Sequence, residues 1–459
     1  MNEDKNIIII GCGAGGGTAA QFARKTDRKA NIAVFEKDKY PQYSKCGLPY
    51  LVSDEISDFK NLIEFSEEWF KKNKIDLFLE TTVTKIDTKN QKIIADKKGE
   101  KIERKYSSLI ICTGAKPSIP LIKNIKQNNK FVNGIHLIRT ISDIKKIKSE
   151  IKKNMKVTIV GAGLIGLEMA DNLHKIGVDI TIVEALPNIL ANIFDLDIAE
   201  IVRKNIPNDV KIFTDSIVTE IKNEKDKIKK VIIKNRETKK EQKIDTDMLI
   251  LCVGVTPETK LAESIGCKIG KTGGIIVNRK SETNIKNIYA VGDCTEYKDF
   301  VTKKPIGIGL GSIVVRQAIA AGINAAGKKY NLLPGFLQTS TSHFFGIEIA
   351  SVGLNSKHLE KKSVVSAKYS GKSLPEYYPG GKPITIKVLA DKKTEKILGV
   401  QAVGDNAAKR VNTFAAAMLG NLNINTFKKL ETAYAPPIAP TLDAETLVCD
   451  ILDMKIKRK

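Results

Sequence analysis

Histidine is scarce in this chain of 459 residues, with four copies at 136, 174, 343 and 358. The seven cysteines, at 12, 46, 112, 252, 267, 294 and 449, include no CxxC pair. No Cys/His cluster has the spacing of a zinc site, so no metal centre is expected. Their odd number and wide spacing argue against a framework of structural disulfides. Aromatic residues make up 6% of the chain and do not interleave with basic ones, which excludes the stacking platforms that bind single-stranded nucleic acid. No apolar run approaches the roughly 20 residues needed to span a bilayer, so no membrane partner is expected. The opening segment, MNEDKNIIIIG, is acidic and runs straight into a strand. Neither a signal nor a transit peptide is expected from it, and a cytoplasmic location is.

Acids are also in short supply: 52 against 75 basic residues, a formal net charge of +23. The lysines scatter over the whole chain, and runs such as KNEKDKIKK are mixed with acids. The excess therefore reads as solvated surface, with no nucleic-acid partner. A field of that sign still draws anionic small molecules toward a cleft. Cys112 and Cys252 lie in the apolar stretches LIICTG and LILCVG, where Cys behaves as an inert small hydrophobe.

What the sequence does have is a repeated grammar. NIIIIGCGAGGGTAAQFARK reads as strand, glycine turn and helix, with Gly11, Gly13 and Gly16 in the turn, and Glu36 closes the next strand, NIAVFEK. KVTIVGAGLIGLEMADNLHKIG repeats it with Gly161, Gly163 and Gly166, and Glu184 closes DITIVEA. The first glycine makes a tight turn, the second lets backbone approach a pyrophosphate, and the third lets helix and strand pack closely. The acid about 20 residues on accepts ribose hydroxyls. Two dinucleotide sites are expected. YSSLIICTGAKPSIP ends a strand in Thr113-Gly114, DMLILCVGVTPET does so at Gly254, and TNIKNIYAVGDCTEY places Asp293 at a strand end. Asp293 either bonds a ribityl hydroxyl or caps a following helix.

The order is a first dinucleotide motif, a second nested inside it, and a return to the first domain. From about residue 330 the composition turns to strands with charged turns. The fold class is α/β: two nested Rossmann-like dinucleotide-binding domains, over 1–120 with 250–328 and over 121–249, plus a C-terminal α+β domain over 329–459.

Taken together, the nested glycine motifs, TGA, AVGD and the C-terminal YAPP resemble the flavin-dependent pyridine nucleotide–disulfide oxidoreductases over essentially the whole chain. SKCGLPY and AYAPPIAPTLD resemble the single-cysteine branch, which includes coenzyme A-disulfide reductase, NADH oxidase and NADH peroxidase. The resemblance implies FAD at the first turn and NADH, with NADPH possible, at the second. It also implies that the C-terminal domain forms a homodimer interface. Expected cofactor contacts then include Ala14, Lys37 and Val83 for FAD, and Leu164 and Ile165 for the nicotinamide dinucleotide. Two-cysteine relatives carry a CxxxxC pair and a C-terminal His; here no second Cys follows Cys46, and Tyr434 is the available acid. NADH peroxidase carries a His just inside its first glycine motif, where this chain has Ala14 or Gly15.

Cys46 is thus read as a lone redox thiol beside a flavin. CGLPYLVSD reads as the start of a helix, with Pro49 in its first turn, so the dipole and adjacent Lys45 favour a thiolate. Its resting oxidised form is a mixed disulfide with a small thiol, or a sulfenic acid. The expected function is an NAD(P)H-dependent reductase of a small-molecule disulfide, coenzyme A disulfide-like, or of a persulfide or polysulfide. Arg24 and Lys25 are candidates for coenzyme A phosphates. The alternative is an NADH oxidase with oxygen as acceptor. Because EALPNIL offers no Arg or Lys beside Glu184, NADH is expected over NADPH. In the homodimer, Tyr434 of one chain is expected to supply the proton for Cys46 chemistry in the other.

Overall fold

The structure, a computed structural model, describes residues 5–359 and 363–458. The chain divides into two compact units: Met1–Ser118 with Arg139–Ile141 and Gly254–Phe336, and Ile119–Ile138 with Ser142–Val253 and Leu337–Lys459.

The first unit is built on a parallel sheet in the order Ile288–Ala290, Ser108–Ile111, Asn6–Ile10, Asn31–Phe35, Ile75–Phe78. The run Ile7–Ile10 forms its central strand because both faces are covered. Ile8 and Ile10 enter one core, with Leu109, Ile111 and Ile288. Ile7 and Ile9 enter another, with Ile32, Val34 and Tyr289. A strand buried on both sides needs no polar alternation. The helix Ala14–Thr26 packs against Gly311–Ala325, and a Cβ on Gly322 would press on the Ala19 carbonyl oxygen. An antiparallel meander of Thr82–Asp87, Lys92–Lys97 and Glu100–Lys105 completes the unit.

The second unit repeats the plan. Its parallel sheet runs Ile135–Leu137, Met248–Leu251, Lys156–Val160, Asp179–Val183, Lys211–Phe213, again with the glycine-turn strand central. A second meander, Ser216–Glu224, Lys227–Asn235 and Glu241–Asp245, follows. The C-terminal part is a five-stranded antiparallel sheet ordered Ser340–Phe344, Ile347–Gly353, Ile397–Gly404, Pro383–Asp391, Val364–Lys372. Helices Ala407–Leu419 and Ala444–Lys457 pack on it. The fold class is as the sequence implied. No helix among the described residues is long and apolar enough to cross a membrane.

Candidate active site

The two glycine turns are superposable in their chemistry. Gly11 and Gly161 have φ of 100° and 105°, which an L side chain rarely adopts. A Cβ on either would also strike a carbonyl, that of Cys112 or Cys252. A Cβ on Gly16 or Gly166 would overlap the carbonyl oxygen of the turn's own first glycine. Gly13 and Gly163 differ: a Cβ there would meet nothing within 4 Å. Each is the N-cap of its helix, and neither helix has an acid in its first turn. An open middle glycine facing bare helix N–H groups fits a pyrophosphate. Ala14 and Leu164 begin these helices, and Ile165 stands 47% exposed.

The two acids do more than the sequence suggests. Glu36 accepts hydrogen bonds from the backbone N–H of Cys12 at 2.5 Å and of Asp38 at 2.9 Å. Glu184 accepts from Ala162 at 2.6 Å and Leu186 at 2.8 Å. Each acid ties its strand end to the residue after the turn's first glycine. A carboxylate has about four acceptor positions, so capacity remains for ribose hydroxyls.

Cys46 is exposed, whereas the other six cysteines are buried or partly so. Burial raises the thiols of Cys12, Cys112, Cys267, Cys294 and Cys449, and pushes Cys252 up to about 12. A thiolate nucleophile near neutral pH is therefore disfavoured at those six positions. The expected helix at Cys46 is not there. The segment forms two 3-10 turns, Lys45–Gly47 and Pro49–Leu51. Tertiary packing decides this: Ser44 N–H donates to the Leu62 carbonyl at 2.8 Å, Tyr43 bridges Ile63, and a Cβ on Gly47 would strike the Leu62 side chain. A dipole of α-helical length is thus not what acts on Cys46. Lys45 keeps exposed surface, while its ammonium end is drawn in near Glu36, Arg139 and Asp293. Burial and then Arg139 lower its affinity for a proton, with Lys37 adding to them and Glu36 and Asp293 opposing.

Asp293 caps no helix, since the strand Thr295–Lys298 follows it. Its Oδ2 accepts from Nη2 of Arg139 at 2.7 Å, with both side chains under 20% exposed. Arg139 also stands over Gly114, whose Cβ would lie 3.5 Å from its Nη2. Sequence reasoning missed Arg139; LIRTISD gives no sign that it returns to the first unit. Thr113 Oγ1 donates to the Glu258 carbonyl at 2.6 Å, and Ser118 N–H to that of Gly254 at 3.0 Å. These bonds join the paired strands Ala115–Pro117 and Val255–Pro257. Glu36, Lys45, Thr113, Gly114, Arg139 and Asp293 therefore share one end of the first unit's sheet. Lys37 is exposed there, and Val83 packs partly buried against that unit's core.

Arg24 is not available to a ligand's phosphates. Its guanidinium donates to four backbone carbonyls, those of Asn73, Asp27, Arg28 and Lys74, and Lys25 lies over the Phe22 ring. In the second unit, Tyr434 is 47% exposed and shares a 2.7 Å hydrogen bond between hydroxyls with Tyr377. That bond raises the Tyr377 hydroxyl above its ordinary value. Tyr377 was missed, as EYYPGG reads only as a turn. Ile438 and Leu442, 70% and 62% exposed, continue an apolar surface beyond Tyr434. Glu168, also missed, accepts from Ser342 Oγ at 2.6 Å, and burial raises its carboxyl.

Comparison with known proteins agrees with this geometry. Residues 5–322 match the pyridine nucleotide-disulphide oxidoreductase family, and residues 339–445 match that family's dimerisation domain. An NADH oxidase of Methanocaldococcus jannaschii is 36% identical, covering 98% of this chain and 99% of the relative. A CoA-dependent NAD(P)H sulfur oxidoreductase of Pyrococcus abyssi is 32% identical, covering 98% of each. The solved structure of an NAD-dependent persulfide reductase from A. fulgidus has a TM-score of 0.91 at 29% identity, covering 98% of this chain and 83% of the other. With two dinucleotide turns, one exposed cysteine and a matching C-terminal domain, the chain belongs to the pyridine nucleotide-disulphide oxidoreductase family.

Proposed function

We propose that this FAD-dependent NAD(P)H oxidoreductase reduces a low-molecular-weight disulfide, persulfide or polysulfide through Cys46. The observation that carries the reading is Cys46 itself, the exposed thiol in a unit whose sheet end also gathers Glu36, Arg139 and Asp293. The CoA-dependent sulfur and persulfide relatives support that substrate class.

The residues at the two turns fit their cofactors: open middle glycines, uncapped helix N–H groups and a carboxylate for the ribose. Gly11, Gly13, Gly16, Glu36, Thr113, Gly114 and Asp293 would hold FAD, and Gly161, Gly163, Gly166 and Glu184 the nicotinamide dinucleotide. When bound, FAD passes two electrons from NAD(P)H to sulfur. Sγ of Cys46 attacks one sulfur of the substrate, forming a mixed disulfide and expelling a thiolate. That thiolate takes a proton, for which we assign Tyr434 of the partner subunit in a homodimer, held by its bond to Tyr377. Two electrons then return Cys46 to the thiolate and free the second thiol. The overall balance is NAD(P)H, a proton and RSSR giving NAD(P)⁺ and two RSH. The matched dimerisation domain and the exposed Tyr434–Leu442 surface support the dimer, and the enzyme is assigned to the cytoplasm. We further assign 1–120 with 250–328 to FAD binding, 121–249 to nicotinamide dinucleotide binding and 329–459 to dimerisation.

The second reading is an oxidase using oxygen, favoured by the Methanocaldococcus jannaschii relative. Turnover of NADH with coenzyme A disulfide or polysulfide in anaerobic buffer, against turnover in air without them, separates the two. Oxidation only in air sinks the disulfide reading.

A further inference from the structure

The helix Gly311–Ala325 buries Ile313, Val314, Ala318, Ala320 and Ala321, and among them lies the amide of Gln317. Taking an amide out of water is unfavourable unless its groups are bonded. A Met of the same length would fill that space without the demand. Gln317 directs its bonds to one place. Its Oε1 accepts from the Gly292 N–H at 2.9 Å. Its NH2 group therefore faces Thr295, where Nε2 donates to Oγ1 at 3.1 Å. The Thr295 hydroxyl has one proton and gives it to the Gly292 carbonyl at 2.7 Å. Three hydrogen bonds thus close a ring, from Gly292 to Gln317 to Thr295 and back to Gly292.

Gly292 is the residue before Asp293. Its φ of 85° is one that an L side chain rarely adopts, and a Cβ there would stand 3.3 Å from Val314 on the same helix. The Thr295 N–H also donates to the Gly292 carbonyl, at 2.8 Å, and closes the turn that presents Asp293 to Arg139. Behind the turn, the Gln317 carbonyl accepts from Ser281 Oγ at 3.0 Å, and the Ser281 carbonyl accepts from the Ala290 N–H at 3.0 Å. The helix is thereby tied to the strand Ile288–Ala290 that leads into the turn. Gln317 and Thr295 are both at 0% exposure, so neither touches a ligand. Whatever they do for one is done through Asp293.

We propose that Gln317 is a positioning residue for the flavin: by holding Gly292 at both its N–H and its carbonyl, it fixes the direction of the Asp293 carboxylate on which FAD affinity depends. The proposal rests on the first glycine turn being the FAD site and on Asp293 being one of its ligands. A hydrogen bond to a ribityl hydroxyl weakens steeply with misalignment, so the carboxylate serves only if its backbone is fixed. In a buried ring each bond polarises the next and strengthens it. Without the Gln317 amide, the Gly292 N–H is buried without a partner. Its peptide unit then turns to seek another, carrying Asp293 with it.

The test reads FAD affinity and thermal stability separately on the holoenzyme. Diluted holoenzyme is passed through a filter that retains protein, free FAD in the filtrate is measured by fluorescence, and melts are followed by circular dichroism. Gln317→Met should raise the FAD dissociation constant about tenfold. In an Asp293→Asn background the same change should add less than about twofold, because the carboxylate through which it acts is gone. Thr295→Val breaks the ring from its other side and should show the same loss, with Thr295→Ser restoring the affinity; this pair decides the matter if Gln317→Met fails to fold. A lowered melting midpoint in Gln317→Met and Thr295→Val with FAD affinity unchanged makes the ring structural only and overturns the proposal. A loss that persists undiminished in the Asp293→Asn background overturns it too. Full affinity in Asp293→Asn alone removes Asp293 from the flavin site and the proposal with it, whereas wild type that holds no FAD overturns the reading of the first turn itself.

Discussion

Glu445 opens the helix Ala444–Lys457, which follows the Tyr434 loop. It is 6% exposed, and its Oε2 has no hydrogen-bond partner among the described residues. Burial, then repulsion from Asp443, raises its carboxyl from the ordinary 4.5 to about 7, against the pull of Arg410 and a bond with Thr413. The folded chain thus keeps a proton that the unfolded chain gives up. Between pH 4.5 and 7 the native state binds more protons, so stability falls as pH rises across that window and levels off above it. At about 1.4 kcal/mol per tenfold change in acidity, the loss above pH 7 is about 3 kcal/mol. Glu445→Gln keeps the shape and removes the charge. It should leave the thermal midpoint near pH 5 little changed or slightly lowered and raise it at pH 8 by about 2 °C, after allowing for one amide that burial leaves poorly bonded. Circular dichroism melts at fixed protein concentration measure this. A variant whose midpoint runs parallel to wild type from pH 5 to pH 8 would refute the reasoning.

Cys46→Ser should keep bound FAD and NADH-dependent bleaching but lose disulfide and polysulfide turnover entirely; retention of turnover with every acceptor tried would hand the chemistry to oxygen. Arg139→Met strands the Asp293 carboxylate, at a cost of about 2 kcal/mol for a partly buried pair; FAD should co-elute with the variant in lower stoichiometry on gel filtration, and full occupancy would deny Asp293 its role. Tyr434→Phe removes the partner that raises Tyr377, so ultraviolet difference titration should show one tyrosine moving down toward pH 10. Light scattering should give a dimer for wild type, and a fully active monomer would remove Tyr434 from the partner's site.

Both glycine turns were legible because a parallel strand buried on two faces writes itself as an apolar run, and a turn that admits no Cβ writes itself as glycine. Ile7–Ile10 and Gly11 are the case in point. The meanders and the C-terminal sheet were legible only as strands with charged turns, since their pairing is non-local. What stayed hidden were side chains whose meaning depends on a distant partner. Arg139 becomes legible only beside Asp293, Tyr377 beside Tyr434 and Gln317 beside Gly292. Arg24 misled in the opposite sense, because a basic helix end looks like a phosphate site until its donors are found on main-chain carbonyls. The helix expected at Cys46 failed because long-range contacts with Leu62 and Ile63 override local turn chemistry.

The bonds from Glu36 and Glu184 back to the amides of Cys12 and Ala162 carry a further consequence. At the two nucleotide sites proposed above this amounts to preorganisation: the carboxylate assigned to the ribose is tied to the glycine loop within the protein itself. Ordering of that loop is completed during folding, so ligand association should proceed with little conformational entropy cost. It follows that replacing either glutamate by alanine loosens the loop as well as deleting the proposed ribose contact. The affinity lost in such a variant reports rigidity and recognition together; a glutamine, with one oxygen for two amide donors, keeps only one of the two bonds and should fall between glutamate and alanine.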